Sequence, residues 1–317
     1  MVANLTLGFD LGGTQVRAAL VQDGIILKRA ALRTDVAGGP ENVMQQFLAL
    51  ASEVRAPDEL ARVCAVGVAS PGPIDTIAGN IEHIPTLPGW DNFALRDRVS
   101  ALFDLPCIVE NDGISAAYGE WQHGAGKGFA NIVYATVSTG IGGGVVVDGR
   151  LLHGRKGMAG HIGHFQMDPL GPVCNCGAAG CFEAFAAGPA LAKRARSSAT
   201  ANPQGYLGSV ATNGQIDSHH VVEGAREGDS ECLSLLRQEA QYLGTGFTGL
   251  AHLFSPDRIV MGGGVSQAFD LLSDEIHATI RGLAMPPFKS IQVVPAALGD
   301  NAGLLGVASL ALSATST

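Results

Sequence analysis

Short apolar runs alternate with longer amphipathic segments along this chain, and glycine-rich turns separate many of them. Five apolar runs have the length of a β-strand, and they are Leu5–Phe9, Val16–Val21, Arg62–Ala69, Cys107–Val109 and Arg258–Met261. The run that begins at position 62 is apolar almost throughout, as in a strand that is buried on both faces. The alternation of strands with helical segments predicts an α/β protein.

Helical periodicity marks the longer segments between these runs. The predicted helices are Pro40–Arg55, a segment that ends near Phe103, Ala184–Arg196, Asp229–Leu253 and Ala302–Ser313. The stretch 197–217 is polar and contains several glycines, which predicts a surface excursion rather than a domain boundary. A rigid proline-rich loop over 70–75 follows the buried strand, at the edge where open α/β sheets bind ligands.

The first and middle parts of the chain repeat one hairpin plan. The first strand is followed by the turn Asp10–Thr14, a second strand and Asp23-Gly24, a dipeptide typical of type I′ turns. The segment Tyr134–Val147 has the same order of strand, small-residue turn and strand, and Asp148-Gly149 follows it. Thr14 and Thr139 are 125 residues apart, as are the two Asp-Gly pairs. The repeat predicts two similar domains that present their turns to one nucleotide.

The glycine turns have the chemistry of a phosphate-binding loop. Gly12 and Gly13 let backbone amides approach an anion, and Thr14 adds a hydroxyl. Asp10 stands beside them at a strand end, where a carboxylate can organise Mg²⁺ through water. The segment lacks the lysine of a P-loop, so a tight turn with Asp10 as a local cap is the alternative. A third glycine turn at 262–264 suits either nucleotide approach or simple packing of a strand against a helix.

A histidine and three cysteines form an array in the middle of the chain. His164 is followed by Cys174, Cys176 and Cys181 with the spacing H-x9-C-x-C-x4-C. Imidazole nitrogen and thiolate sulfur are ligands of tetrahedral Zn²⁺, and a site closed by four protein ligands is structural. The array therefore predicts a zinc site that stiffens this loop. Small buried cysteines in a glycine-rich loop are the alternative.

Charge and composition exclude some classes of partner. The chain of 317 residues carries a formal charge of −9, which argues against a nucleic acid or an anionic membrane. No signal peptide is expected, and no apolar run reaches the length of a membrane span. Six cysteines are too sparse for a secreted disulfide scaffold, so a cytoplasmic location is expected. The length and the 46% of apolar residues predict two domains.

Four segments together resemble the ROK family, which groups sugar kinases with sugar-responsive repressors. They are DLGGT from Asp10, ENDG from Glu110, STGIGGG from Ser138 and the array from His164 to Cys181. The resemblance implies two actin-like, ribonuclease H-like ATPase domains beside a cleft, formed by 1–117 plus 303–317 and by 118–302. It also implies ATP, Mg²⁺, a hexose substrate and a homodimer. Family repressors have a helix-turn-helix module before the first glycine turn, for which nine residues leave no room, so a kinase is expected.

The resemblance also assigns roles to individual residues. Asp112 is the expected base, because a carboxylate in a closed site can accept the proton of the attacking sugar hydroxyl. Asn111 is expected to orient the sugar, and Glu183 and His164 to hold ring hydroxyls near the anomeric end. Further sugar contacts are expected at Gly72 and Asn92, and phosphate contacts at Gly12, Gly13, Thr14, Thr139, Gly140, Gly262 and Gly263. A sugar sensor without turnover is an alternative that the presence of Asp112 disfavours.

Position 161 distinguishes this chain from family glucokinases. Those enzymes usually have glutamate three residues before the zinc histidine, whereas this chain has His161 in the segment AGHIGH. An ionised glutamate only accepts hydrogen bonds, but an imidazole can donate one to an acetamido carbonyl. This segment and the following D-P-x-G-P-V-C resemble bacterial N-acetylmannosamine kinases of sialic acid breakdown. N-acetylmannosamine 6-phosphorylation is therefore expected, and a glucokinase with a substituted loop is the alternative.

Overall fold

The computed structural model describes residues 5–56, 59, 62–84 and 87–315. The strands within these residues are β1 (Leu5–Leu11), β2 (Gln15–Gln22), β3 (Ile25–Arg33), β4 (Val63–Ser70), β5 (Ile74–Asp75), β6 (Asn80–Ile81), β7 (Cys107–Asn111), β8 (Ile132–Val137), β9 (Ile141–Val147), β10 (Arg150–Leu151), β11 (Arg258–Gly262) and β12 (Gln292–Pro295). The α-helices are α1 (Gly39–Val54), α2 (Leu95–Phe103), α3 (Asp112–His123), α4 (Phe182–Ala186), α5 (Gly188–Ala201), α6 (Tyr206–Asn213), α7 (Ser218–Arg226), α8 (Ser230–Phe254), α9 (Phe269–Leu283) and α10 (Ala302–Ala314). The predicted α/β class is confirmed.

The first sheet is mixed and has the strand order β3-β2-β1-β4-β7. β1 pairs antiparallel with β2 and parallel with β4, and β4 pairs parallel with β7. Helix α1 packs on β2 and β3, and α10 packs on β1 and β4. Because nearly every residue of β1 and β4 is buried, these strands have the continuous apolar runs that the sequence contains.

Glycines bring α10 very close to the first sheet. A Cβ at Gly8 would lie 2.7 Å from the carbonyl oxygen of Leu304, and one at Gly67 would lie 2.3 Å from that of Val307. Any side chain at either position would collide with the helix backbone. The last helix of the chain is therefore an integral part of the core formed by the first strands.

The second sheet repeats the order of the first, as β10-β9-β8-β11-β12. β11 lies between β8 and β12 and is parallel to both, as β4 is to β1 and β7. Asp23 and Gly24 have φ of 50° and 76°, and Asp148 and Gly149 have 50° and 68°, as type I′ turns require. The predicted repeat is confirmed, and it extends from one hairpin to a whole five-stranded sheet.

One prediction of local structure was wrong, and another lacked detail. The stretch 197–217 is mostly exposed and lies inside one unit, as expected of a surface excursion, but it is largely helical, because α5 continues to Ala201 and α6 follows, with Leu207 and Ile216 buried as anchors among small polar residues. The helix expected from Ala184 is interrupted between α4 and α5. Pro189 has no N–H for a helical bond to the carbonyl four residues before it, so α5 starts as a separate helix.

The chain folds into two compact units. The first unit consists of Met1–Gly128, Gly144–Gly160 and Ala297–Thr317, and the second consists of Phe129–Gly143 and His161–Ala296. The domain bounds expected from the sequence, 1–117 plus 303–317 and 118–302, remain a prediction, and their outermost residues 1–4 and 316–317 lie outside the described part. None of the described helices has the length and apolarity that crossing a membrane requires.

A buried carboxylate joins distant parts of the first unit. Glu120 of α3 is inaccessible to solvent and accepts hydrogen bonds from the backbone N–H groups of Ala125, Ala297 and Leu298 at 2.8, 3.1 and 2.7 Å. A charge without water is tolerated when several donors surround it in this way. The bonds hold the end of α3 against the segment that leads into α10.

Aromatic packing fixes both ends of the cysteine and histidine array in the second unit. The N–H of Phe182 donates to the carbonyl of Phe165 at 3.0 Å, and their ring centroids are 5.6 Å apart. The ring of Phe182 also meets that of Phe247 edge to face at 5.9 Å. Gly246 of α8 makes room for this ring, since a Cβ there would lie 2.3 Å from it. The loop is thus attached to α8 by apolar contacts.

We expect Gly246→Ala to lower the free energy of unfolding by about 1–3 kcal/mol, because the added methyl overpacks the Phe182 ring. Urea unfolding at 25 °C measures this loss. Gly282→Ala in α9 is the matched control, because a Cβ at that position meets nothing within 4 Å. The control should leave stability unchanged or raise it by up to about 1 kcal/mol, the gain in helix propensity. Equal stabilities of the two variants would contradict the close packing of Phe182.

Candidate active site

The junction of β7 and α3 places two of the predicted site residues. Asn111 is the N-cap of α3, and its Oδ1 accepts hydrogen bonds from the N–H groups of Gly113 and Ile114 at 3.0 and 3.3 Å. Because the cap uses the amide oxygen, the Nδ2 group, which also bonds to Asp112, is the donor that a ligand can use. Gly72, in the loop after the neighbouring strand β4, lies beside it, since a Cβ there would be 3.4 Å from Nδ2.

Asp112 is the first residue of α3 and is exposed to solvent. Its Oδ1 accepts a hydrogen bond from the N–H of Gly113 at 2.7 Å. The pKa of Asp112 is raised above its ordinary value chiefly by desolvation, although the bonds from Gly113 and Asn111 oppose this. A side chain can touch water and still be poorly hydrated, since hydration depends on all the protein around it. A carboxylate with a raised pKa is a better proton acceptor at neutral pH than an ordinary one.

Asp10 lies at the end of β1 in a negatively charged environment. Burial raises its pKa to about 6, Arg17 lowers it, and the carboxylates of Asp112 and Asp300 raise it further. The guanidinium of Arg17 is 3.8 Å from Asp10 Oδ2. A cation would relieve the repulsion among these carboxylates, and oxygen ligands are those that Mg²⁺ prefers. The residues present therefore fit a magnesium site at Asp10.

The first glycine turn is held by Thr34, which follows β3. The hydroxyl of Thr34 donates to the carbonyl of Gly12 at 2.6 Å, and its N–H donates to the carbonyl of Thr14 at 3.0 Å. The N–H of Gly12 donates to Gln15 at 3.0 Å. Gly13 is partly open to solvent and Thr14 is exposed. The turn is thus rigid at its base and open at its tip.

Asn92 lies in an exposed turn before α2 and has a φ of 54°, a conformation that asparagine tolerates. Its N–H donates to the carbonyl of Glu82 at 3.3 Å. The residue belongs to the same unit as Asn111 and Asp112. Its contact with a sugar stays a prediction.

Two glycine turns meet in the second unit. Gly263, with a φ of 85°, is so close to β8 that a Cβ would lie 2.4 Å from the carbonyl oxygen of Val137. Ser138 directly follows Val137. Its backbone N–H donates to the carbonyl of Gly140 at 2.9 Å, and its carbonyl accepts the N–H of Gly188 at 2.8 Å. Both turns and the start of α5 therefore lie together. They line a cavity of about 350 Å³, with residues that include Thr139, Gly188, Arg196, Asp217, Ser218 and Val265.

The four predicted zinc ligands come together in the second unit. Their ligand atoms all lie within 4.8 Å of one another. Nδ1 of His164 is 3.7 Å from Sγ of Cys174, and Sγ of Cys176 is 3.6 Å from Sγ of Cys181. A tetrahedral zinc with Zn–S of about 2.3 Å and Zn–N of about 2.0 Å has edges of about 3.6–3.8 Å. The distances therefore fit the metal, and Nε2 of His164 is the ring nitrogen that points away from the cysteines.

Glu183 connects the cysteine cluster with the second glycine turn. Its Oε2 accepts a hydrogen bond from the N–H of Ile141 at 2.9 Å, and its Oε1 lies 3.4 Å from Sγ of Cys174. The first turn of α4 places the carboxylate there. A Cβ at Gly140 would be 2.6 Å from Oε2, so this glycine leaves room for the close approach of Glu183.

His161 lies just before the short 3-10 helix Ile162–His164, and its carbonyl accepts the N–H of His164 at 3.0 Å. The two imidazole centroids are 6.3 Å apart. The pKa of His161 is lowered by desolvation and by the nearby His164. The neutral ring has one donor nitrogen and one acceptor nitrogen.

Sequence reasoning missed two residues that support this site. Gly188 binds the turn at Ser138 through its N–H, and the Gly-Pro pair at the start of a helix was the available signal. Glu110 is buried at the end of β7, where its carboxylate contacts His153 at 3.0 Å. A charged residue in an otherwise apolar strand was a signal, but its partner lies 43 positions away.

Comparisons with known proteins agree with this architecture. The family model described as ROK family matches residues 6–314. A glucokinase of Thermotoga maritima is 35% identical over 307 residues, covering 96% of each chain. An N-acetylmannosamine kinase of Escherichia fergusonii is 35% identical over 308 residues, covering 96% of this chain and 98% of the relative.

A solved structure extends the likeness to the fold. The crystal structure of a ROK family glucokinase from Streptomyces griseus in complex with glucose and AMPPNP has a TM-score of 0.83 and is 34% identical. The match covers 98% of this chain and 100% of the other. The protein therefore belongs to the ROK family and is a sugar kinase with the actin-like ATPase fold.

Proposed function

We propose that this protein is an ATP-dependent N-acetylmannosamine kinase that forms N-acetylmannosamine 6-phosphate and ADP. The observation that carries the choice of sugar is the imidazole of His161, which stands where family glucokinases usually have a glutamate. In either protonation state an imidazole has at least one N–H, which can donate to the carbonyl of an N-acetyl group. The similarity at 35% identity to both glucokinases and N-acetylmannosamine kinases supports sugar phosphorylation, whichever of the two sugars is preferred.

The nucleotide half of the site is assigned to the second unit. The cavity beside Thr139, Gly188 and Gly264 is large enough for a nucleoside, and its glycines allow a close approach of the ligand to the backbone. The start of α5 adds the positive end of a helix dipole, which favours phosphate. The similar glucokinase from Streptomyces griseus, solved with AMPPNP, supports the binding of a nucleotide.

Phosphoryl transfer needs alignment and charge neutralisation more than covalent chemistry. Bound at Asp10, Mg²⁺ would neutralise charge on the phosphates. The amides of Gly12 and Gly13 and the hydroxyl of Thr14 would hold the phosphates from the first unit. Asp112 would accept the proton of the sugar 6-hydroxyl as its oxygen attacks the γ-phosphorus, and the ADP oxygen would leave.

Each unit holds donors and acceptors that we assign to sugar recognition. Asn111 would donate from Nδ2, because its oxygen caps α3. Glu183 is held by the N–H of Ile141 and would accept from ring hydroxyls. His164 would use Nδ1 for the metal and Nε2 for the sugar, a division of roles that the ring geometry allows.

We also propose that the cysteine and histidine cluster binds a structural Zn²⁺. The ion would cross-link the loop between Phe165 and Phe182, whose ends the aromatic contacts already hold. It would fix His164 and, through Cys174, the neighbouring Glu183. The metal therefore acts on sugar recognition by limiting the motion of these side chains.

Replacing the base tests the mechanism. Asp112→Asn should lower kcat by about 10²–10⁴-fold, because the amide cannot accept the proton, and it should leave the Kd for the sugar nearly unchanged. In the wild type, kcat/KM should fall as the pH drops through the raised pKa of Asp112, which places the acid limb above the range of an ordinary aspartate. Steady-state kinetics measure kcat and the pH dependence of kcat/KM, and calorimetric titration measures the Kd for the sugar. Loss of sugar binding in the variant would mean that Asp112 acts as a structural cap.

Metal analysis tests the zinc site. Purified protein should contain about one zinc ion per chain, and Cys176→Ser should lose it and lower the melting temperature, because three ligands bind more weakly than four. Cys64→Ser is the control, since Cys64 lies outside the cluster and should keep the metal. Wild-type protein that contains no zinc after purification without chelators would rule the site out.

Substrate choice is tested by an ADP-release assay with N-acetylmannosamine, glucose, N-acetylglucosamine and mannose. The wild type should prefer N-acetylmannosamine, and His161→Glu should shift the kcat/KM ratio toward glucose by about tenfold or more, because the donor is lost. His219→Glu, at an exposed histidine of α7, is the matched control and should keep the wild-type ratio. A wild type that prefers glucose favours a glucokinase, and an unchanged ratio in the variant would leave His161 without a role in specificity.

A further inference from the structure

Glu110 is a buried carboxylate directly before Asn111 and Asp112. Its side chain is 5% exposed. One carboxylate oxygen, Oε1, accepts the backbone N–H of Asn111 at 2.8 Å, and the other, Oε2, is 3.0 Å from Nε2 of His153. An ionised carboxylate in such a place is costly unless both oxygens have donors. One of the two oxygens of Glu110 therefore depends on His153 for its hydrogen-bond partner.

His153 follows β10 and reaches Glu110 with one edge of its ring. The pKa of His153 is raised first by the hydrogen bond to Glu110, against the effect of burial, and further by the Glu110 charge and by the carbonyl of Leu151. Because Nε2 faces the carboxylate, the carbonyl is the partner of Nδ1. Both ring nitrogens thus meet acceptors, which favours the imidazolium with a proton on each.

We propose that Glu110 and His153 form a positioning pair for the catalytic segment, in which His153 holds the carboxylate that in turn holds the backbone of Asn111. This inference rests on the proposed role of Asp112 as the base. Neither residue of the pair is assigned to the substrate or to the metal. Their effect passes through the backbone at the start of α3.

The bonds form a short chain from His153 to the base. The carboxylate of Glu110 orients the N–H of Asn111, and Asn111 keeps the extended conformation, φ −62° and ψ 142°, that an N-cap requires. The Asn111 side chain then fixes the first turn of α3, where Asp112 stands. Without His153 the carboxylate would turn toward solvent and release the N–H of Asn111. A base displaced by about 1 Å loses about 10²-fold in rate.

The same segment of the chain offers a matched control. Lys156 forms ion pairs with Asp75 at 3.3 Å and Glu82 at 2.7 Å, and its side chain is 41% exposed, close to the 45% of His153. It also lies on 144–160 of the first unit, but its partners are not next to Asn111. Loss of the Lys156 pair removes a cation from the segment without touching the carboxylate before the base.

The experiment compares His153→Gln with His153→Asn in the full-length protein, on whichever sugar the wild type phosphorylates. A glutamine amide can reach the position of Nε2 and donate to Glu110, whereas an asparagine amide reaches only the position of Nδ1. We expect His153→Asn to lower kcat by about tenfold to 100-fold with sugar Kd and ATP KM within about twofold of wild type. His153→Gln should recover most of the rate. Thermal melting confirms that each variant is folded at the assay temperature.

Glu110→Gln and the double variant Glu110→Gln/His153→Asn complete the test. Glu110→Gln should also lower kcat, and the double variant should be no slower than the slower single variant, because the two residues act through one bond. Lys156→Gln should keep kcat within about twofold of the wild type. The proposal would be overturned if the two single variants lowered kcat independently, so that the double variant lost the product of both factors. It would also be overturned by equal kcat values for His153→Gln and His153→Asn, or by a Lys156→Gln variant as slow as His153→Asn. Wild-type protein inactive on every sugar would instead overturn the proposed function and this inference with it.

Discussion

The cap that Asn111 forms on α3 is the interaction on which the first half of the site depends. It uses the amide oxygen for two backbone donors, so it decides which group of Asn111 faces a ligand. It also sets where the helix begins, and Asp112 is the first residue of that helix. A residue that looks like an ordinary cap can thus both stabilise the start of a helix and position groups for a ligand. The geometry that stabilises the helix start also points the next side chain outward.

The second unit also holds its predicted ligand-binding groups in place, but by aromatic packing and a backbone hydrogen bond rather than by a helix cap. Aromatic packing against Gly246 holds Phe182, and the adjacent Glu183 is then directed to the N–H of Ile141. Four potential metal ligands have their ligand atoms within 4.8 Å of one another, and the two shortest of the described distances, 3.7 and 3.6 Å, match the edges of a tetrahedral zinc site. Apolar contacts, a backbone bond and metal-ligand geometry therefore converge on one short loop, where the predicted sugar-binding groups are concentrated.

Much of this fold could be predicted from the sequence, because its strongest signals are local. The Asp-Gly pairs at 23 and 148 require positive φ, and they revealed a repeat that turned out to include two sheets of the same order. The cluster of one histidine and three cysteines was predicted from its spacing alone. The contact between Glu110 and His153 could not be predicted, because a pairing over 43 positions leaves no periodic trace. Helix α6 was missed for a related reason, since its buried anchors are few among small polar residues.

The position of α10 has a consequence for synthesis of the chain. The glycines of β1 and β4 leave room for α10, which follows the second unit in the chain. Glu120 accepts hydrogen bonds from Ala297 and Leu298, which lie just before α10. While the chain emerges from the ribosome, the first strands therefore carry an uncovered apolar face and a carboxylate with part of its donors missing. The intervening second unit can complete its own core earlier, because it is built from Phe129–Gly143 and His161–Ala296. The core of the first unit can thus be completed only after the second unit has been translated.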